Sequence, residues 1–180
     1  MKTITLMAGL LLLGGTAQAH VVLDQQEAVA GSMYKAVLKV GHGCDGSATR
    51  QLTITLPPGF SGAKPVPKAG WTLALRSEKL ATPYESHGVQ ITEAVVEISW
   101  TARSEADYLQ DAWYDEFTLR GSLPAQPGEL WFKVRQTCVK GESNWAEVPA
   151  AGATSKGLKM PAARLLVTPA GAMPGQAHQH

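Results

Sequence analysis

Hydrophobic and polar residues alternate along much of the chain. Tyr34, Ala36, Leu38 and Val40 are spaced by Lys35, Val37 and Lys39. Leu52, Ile54 and Leu56 are interleaved with Thr53 and Thr55, and Leu130, Phe132 and Val134 with Trp131 and Lys133. A period of two sends every second side chain to one face, so each segment predicts a strand with one face buried. Further strands are expected at 21–23, 71–76, 89–100, 117–120, 143–148 and 164–168. Turn formers lie between them: Pro57-Pro58-Gly59, Pro65 to Gly70, Pro124 to Gly128 and Ala150 to Gly157. The single segment that suggests a helical turn is Arg103 to Trp113. Strands at this spacing without a long helical pattern predict an all-β protein built as an antiparallel β-sandwich. Trp71, Trp100, Trp113 and Trp131 are read as core or edge packing.

The pattern fails at both ends. Lys2, the apolar run Leu6 to Leu13 and Ala17-Gln18-Ala19 have the three parts of a secretory signal, with cleavage after Ala19. The apolar run falls short of the roughly 20 residues that span a bilayer. From Pro169 the chain turns into Ala, Gly, Pro, Gln and His. The expected organisation is a signal peptide at 1–19, one domain at 20–168 and a flexible tail at 169–180. That makes the protein exported, periplasmic after cleavage and not membrane-embedded.

Charge narrows the partners. Lys plus Arg number 16 against 15 Asp plus Glu, so there is no basic field for nucleic acid and no polybasic membrane patch. There are two cysteines, Cys44 and Cys138. Export to an oxidising compartment predicts a disulfide between them, since neither sits in a CxxC pair.

Cleavage in A-Q-A-H-V-V would make His20 the first residue. Its α-amine and imidazole Nδ1 can then close a six-membered chelate ring on a metal. The amine, with a reference pKa of about 8, gives up its proton readily near neutrality. Two nitrogen donors suit Cu(II), which prefers tetragonal nitrogen and oxygen ligands. Glu27, seven residues on in Q-Q-E-A-V-A-G, offers a carboxylate oxygen, with Gly31 able to turn the chain after it. Trp145 sits in the polar stretch S-N-W-A-E-V-P beyond Cys138, so a disulfide there ties its region to the rest of the sandwich. On residues alone, Glu27 also reads as a solvated surface carboxylate and Trp145 as a buried core tryptophan.

The segments H-V-V-L-D-Q-Q-E-A-V-A-G, V-G-H-G-C-D-G-S, A-K-P-V-P-K-A-G-W, Y-D-E-F-T-L-R-G, F-K-V-R-Q-T-C and N-W-A-E-V-P occur in this order. As a set they resemble the YcnI-like family of exported bacterial copper-binding domains, from His20 to about Pro149. The resemblance implies an immunoglobulin-like or fibronectin-like sandwich. It also implies a solvent-accessible Cu(II) site, the mono-histidine brace, falling on His20, Glu27 and Trp145. An indole nitrogen carries a proton and is a poor σ donor, so Trp145 is expected to cap the metal with its ring. The implied role is copper homeostasis without catalysis. The protein would buffer copper or pass it to another periplasmic copper chaperone or a membrane copper transporter.

Two rival readings remain. A copper-dependent oxidase or oxygenase needs a second imidazole, for which His42 in G-H-G-C and His87 in E-S-H-G are the candidates. A metal-free protein-interaction sandwich would instead show an exposed apolar patch away from His20. Met160, Met173, His178 and His180 could assist copper transfer, but a tail of this composition reads first as an inert end. No G-x-S-x-G elbow supports serine catalysis. Asp107, Asp111, Asp115 and Glu116 read as helix ends, a solvated acidic face or salt-bridging groups.

Overall fold

A computed structural model describes residues 20–86 and 88–171. The expected signal peptide, His87, Met173, His178 and His180 lie outside the described residues. Eleven strands carry the fold: β1 (Val22–Leu23), β2 (Glu27–Val29), β3 (Met33–Val40), β4 (Thr49–Thr55), β5 (Ser61–Pro65), β6 (Trp71–Ser86), β7 (Val89–Ala102), β8 (Asp115–Ser122), β9 (Gly128–Cys138), β10 (Glu142–Trp145) and β11 (Ala163–Thr168). One sheet runs β1-β3-β8-β5. The other runs β2-β11-β9-β4-β7-β6, with β10 also paired to β9. Among the described residues no helix is long and apolar enough to cross a membrane.

The alternating strands form as their patterns dictate. In β3, Tyr34, Ala36, Leu38 and Val40 are buried, and β8 answers with Phe117 and Leu119. From the opposite sheet Leu52, Ile54, Ile98, Trp100, Phe132, Val134 and Leu165 fill the same interior. Edge-on rings lock the centre: Trp71 and Trp100 stand 5.1 and 5.7 Å from Phe117, and Phe60 stands 5.3 Å from Phe132. Cys44 and Cys138 are joined, closing a loop with a sequence separation of 94.

Several elements differ from the sequence expectation. β6 runs to Ser86, ten residues beyond Arg76, because its backbone keeps pairing with β7 as a two-stranded arm whose outer half is exposed. Pro83 is tolerated there because β6 is an edge strand with no partner on its far side. β5 (S-G-A-K-P) carries no alternating apolar residues and forms by edge pairing with β8, with a register shift between Ser61 and Lys64. The helical turn expected over 103–113 shrinks to one 3-10 turn at Glu105–Asp107. Leu109 is pulled out of any helix by backbone hydrogen bonds to Thr49, at 2.8 and 3.0 Å, and is buried. Trp113 is 57% exposed and so is not a core residue.

The N-terminal segment changes sheets. β1 pairs antiparallel with β3, then residues 24–26 cross over, and β2 pairs parallel with β11. Among the described residues this is the one ladder of parallel strands. Val21 and Leu23 are buried between the sheets. Asp24 N–H donates to Val37 O at 2.9 Å, and the Tyr34 hydroxyl donates to Gln25 O. His20 is therefore carried on an anchored strand.

Candidate metal centre

Trp145 ends β10 opposite Val134 of β9 and is buried. Its ring meets the His20 imidazole edge-on, with centroids 5.5 Å apart and planes at 72°. The polypeptide positions this pair from two distant places. Val21 and Leu23 fix His20, while the β9–β10 pairing fixes Trp145. His20 Nε2 is the one buried side-chain nitrogen or oxygen among the described residues that has no hydrogen-bond partner. Such a group costs about 1–3 kcal/mol.

The Trp145 Nε1–H donates to Gln136 Oε1 at 3.2 Å. With that proton committed, the indole can offer a metal only its ring. Gln136 is fully buried and donates from Nε2 to His42 O and to Thr49 Oγ1, both at 2.7 Å. The sequence reading passed over Gln136. Its signal was its place on the buried face of β9, in step with Leu130, Phe132, Val134 and Cys138, where the other residues are apolar.

His42 joins the group from the loop before the disulfide. Its ring lies 6.1 Å from Trp145 at an interplanar angle of 79°, and its Nδ1 is paired with Gly43 O. Glu27 opens β2, is exposed, and is level with Leu166 of β11. A depression of about 500 Å³ beside His20 is lined by Gln26, Trp131, Lys159, Ala163 and Arg164, among others. Gln26 lines this depression, and neither Glu27 nor Trp145 does. Among the described residues no three His, Cys, Asp or Glu side chains gather closely enough to hold a metal ion.

The acidic cluster is occupied structurally. Asp111 Oδ1 accepts from Gly43 N–H at 2.9 Å, Asp107 Oδ2 from Ser104 at 2.7 Å, and Glu116 Oε1 from the Tyr114 hydroxyl at 2.7 Å. Asp115 forms an ion pair with Lys68. The bond to Glu116 is the main reason that the Tyr114 hydroxyl is pushed up to about 12.

Known proteins place the chain as follows. Residues 20–167 match the family described as Domain of unknown function (DUF1775). No curated protein matches. Among solved structures, the chain is similar to an uncharacterized protein from Nocardia farcinica with an immunoglobulin-like fold. The two are 23% identical, with a TM-score of 0.62 over 82% of this chain and 97% of that one. A putative membrane anchored protein from Corynebacterium diphtheriae is 9% identical, with a TM-score of 0.41 over 82% of this chain and 33% of that one. The Nocardia likeness extends to the fold alone and agrees with the two-sheet architecture described above. The family match spans nearly every described strand, and the chain belongs to the DUF1775, or YcnI-like, family.

Proposed function

We propose that this protein is an exported copper-binding protein that buffers or delivers copper. Removal of residues 1–19 frees the His20 amine, and Cu(II) is held by that amine and Nδ1. Glu27 adds an oxygen and Trp145 caps the metal with its ring. The observation that carries the reading is the His20–Trp145 pair with its buried, unpartnered Nε2. Burial of Nε2 leaves Nδ1 as the ring nitrogen open to a metal, and Nδ1 is the atom that the chelate needs. The family match begins at His20, as such a mature N-terminus requires. The acceptors are a second exported copper chaperone or a membrane copper transporter.

The test is a Cu(II) titration followed by electron paramagnetic resonance, on protein that begins at His20. One stoichiometric axial signal with two nitrogens is expected. A single Ala added before His20 should abolish it by converting the amine to an amide, and an unchanged signal would defeat the chelate. Glu27→Gln should weaken Cu(II) binding while keeping both nitrogens. A second reading, a copper oxidase or oxygenase, is favoured by one observation: the His42 ring lies 6.1 Å from the same indole. It predicts a three-nitrogen signal that His42→Ala reduces to two.

A further inference from the structure

We propose that Gln136 is the positioning residue of the metal centre, holding the Trp145 indole in one orientation against His20. This rests on the copper reading above. Burying a polar amide in an apolar sandwich is costly unless its hydrogen bonds are met. The Gln136 side chain meets them: both Nε2 protons are donated, to His42 O and Thr49 Oγ1, and Oε1 accepts the Trp145 Nε1–H. The amide has one workable orientation. Turned over, its NH₂ would face the indole N–H and its oxygen would face the His42 carbonyl, so two donors would clash and two acceptors would clash. Trp145 therefore cannot swing about its side-chain bonds without leaving a buried N–H unpaired.

The partners are themselves fixed. Thr49 is fully buried, and the register irregularity of β4 between Thr49 and Gln51 lets Thr49 face Gln136 while pairing with Cys138. His42 lies two residues before Cys44, whose backbone N–H donates to Cys138 Sγ at 3.0 Å. The disulfide thus ties the segment that supplies the His42 carbonyl to the strand that carries Gln136. A rigid frame runs from the disulfide through Gln136 to the indole that faces the copper ligand. Partners of this kind around a metal ligand set affinity by holding the site in shape.

The experiment compares wild type, Gln136→Leu, Trp145→Phe and the double variant, each beginning at His20. Two readouts are used: the Trp145 indole N–H resonance in metal-free protein, and Cu(II) affinity with its paramagnetic spectrum. Gln136→Leu should shift the indole resonance, speed its hydrogen exchange and weaken Cu(II) about tenfold. In the Trp145→Phe background the same change should cost no more than about a further twofold, because Gln136 acts through the indole. Losses that multiply independently, or a folded Gln136→Leu protein with unchanged resonance and affinity, would overturn the proposal. If Gln136→Leu does not fold, Thr49→Val removes one anchor of the amide and leaves Gln136 and Trp145 in place. A shifted indole resonance with weaker Cu(II) binding supports the proposal there, and no change in either overturns it. Wild-type protein that takes up no Cu(II) would instead defeat the copper reading itself, a result separable from indifferent variants of a copper-binding wild type.

Discussion

The Tyr34 hydroxyl, held under the N-terminal segment by its bond to Gln25 O, is the residue through which pH should reach the His20 region. Burial, followed by the nearby Asp24 charge, drives its ionisation well above the ordinary tyrosine range. The unfolded chain, with a phenol pKa of about 10, loses this proton first. Tyr34 therefore contributes stability that is fully present below about pH 10 and lost as pH rises from there towards the higher folded value. Denaturant midpoints measured from pH 8 upwards should fall above pH 10, and Tyr34→Phe should flatten that fall while costing about 1 kcal/mol at neutral pH for the lost hydrogen bond. An equal alkaline fall in Tyr34→Phe would assign it to other groups. The same scale shows what single residues disclose. His20 and Trp145 were legible because one stands at a cleavage pattern and the other in a motif. Their proximity was expected only through the family resemblance, since it depends on a pairing between β9 and β10 that no local pattern encodes. Gln136 was hidden for a related reason: a glutamine among Arg135 and Thr137 looks polar until the period of β9 is carried through to the disulfide.

At the scale of elements, the loop between β3 and β4 is as constrained as a strand. A Cβ on Gly43 would stand 1.8 Å from Ser47 O, a backbone atom that cannot swing aside, while Gly43 N–H also holds Asp111. Gly43→Ala should therefore displace the 41–47 loop and destabilise the protein by about 2 kcal/mol or more, within the range of steric and overpacking substitutions. Thermal unfolding would register this, and the Trp145 resonance should move with it because His42 O shifts. Near-wild-type stability would mean that the loop yields. Strands with period-two patterns, such as β3 and β9, were readable with ends accurate to a few residues. β5 and the outer half of β6 were not, because edge and arm strands are held by backbone pairing and bury too little to leave an apolar rhythm. The helical turn expected over 103–113 is confined to Glu105–Asp107 for the opposite reason: Leu109 gains more from the interior beside Thr49 than the segment gains from helical bonds.

For the whole molecule, the disulfide is the largest single constraint. Closing a loop with a separation of 94 restricts the unfolded chain. Loop entropy gives the bridge about 4–5 kcal/mol. Replacing both cysteines by serine should lower the unfolding free energy by about that amount in denaturant titrations, and a loss below about 1 kcal/mol would show that the native packing stands without it. The sandwich class was legible because two one-sided sheets have few ways to bury their faces. The crossover of the first strands was not, since a two-residue strand and a three-residue strand carry almost no pattern. That crossover also joins the two ends of the domain. β2 is bonded to β11, and residues 155–164 wall the depression at His20, so the first described residues and the last described strand close on each other. A chain truncated before β11 should therefore leave β2 without its partner and open the depression beside His20.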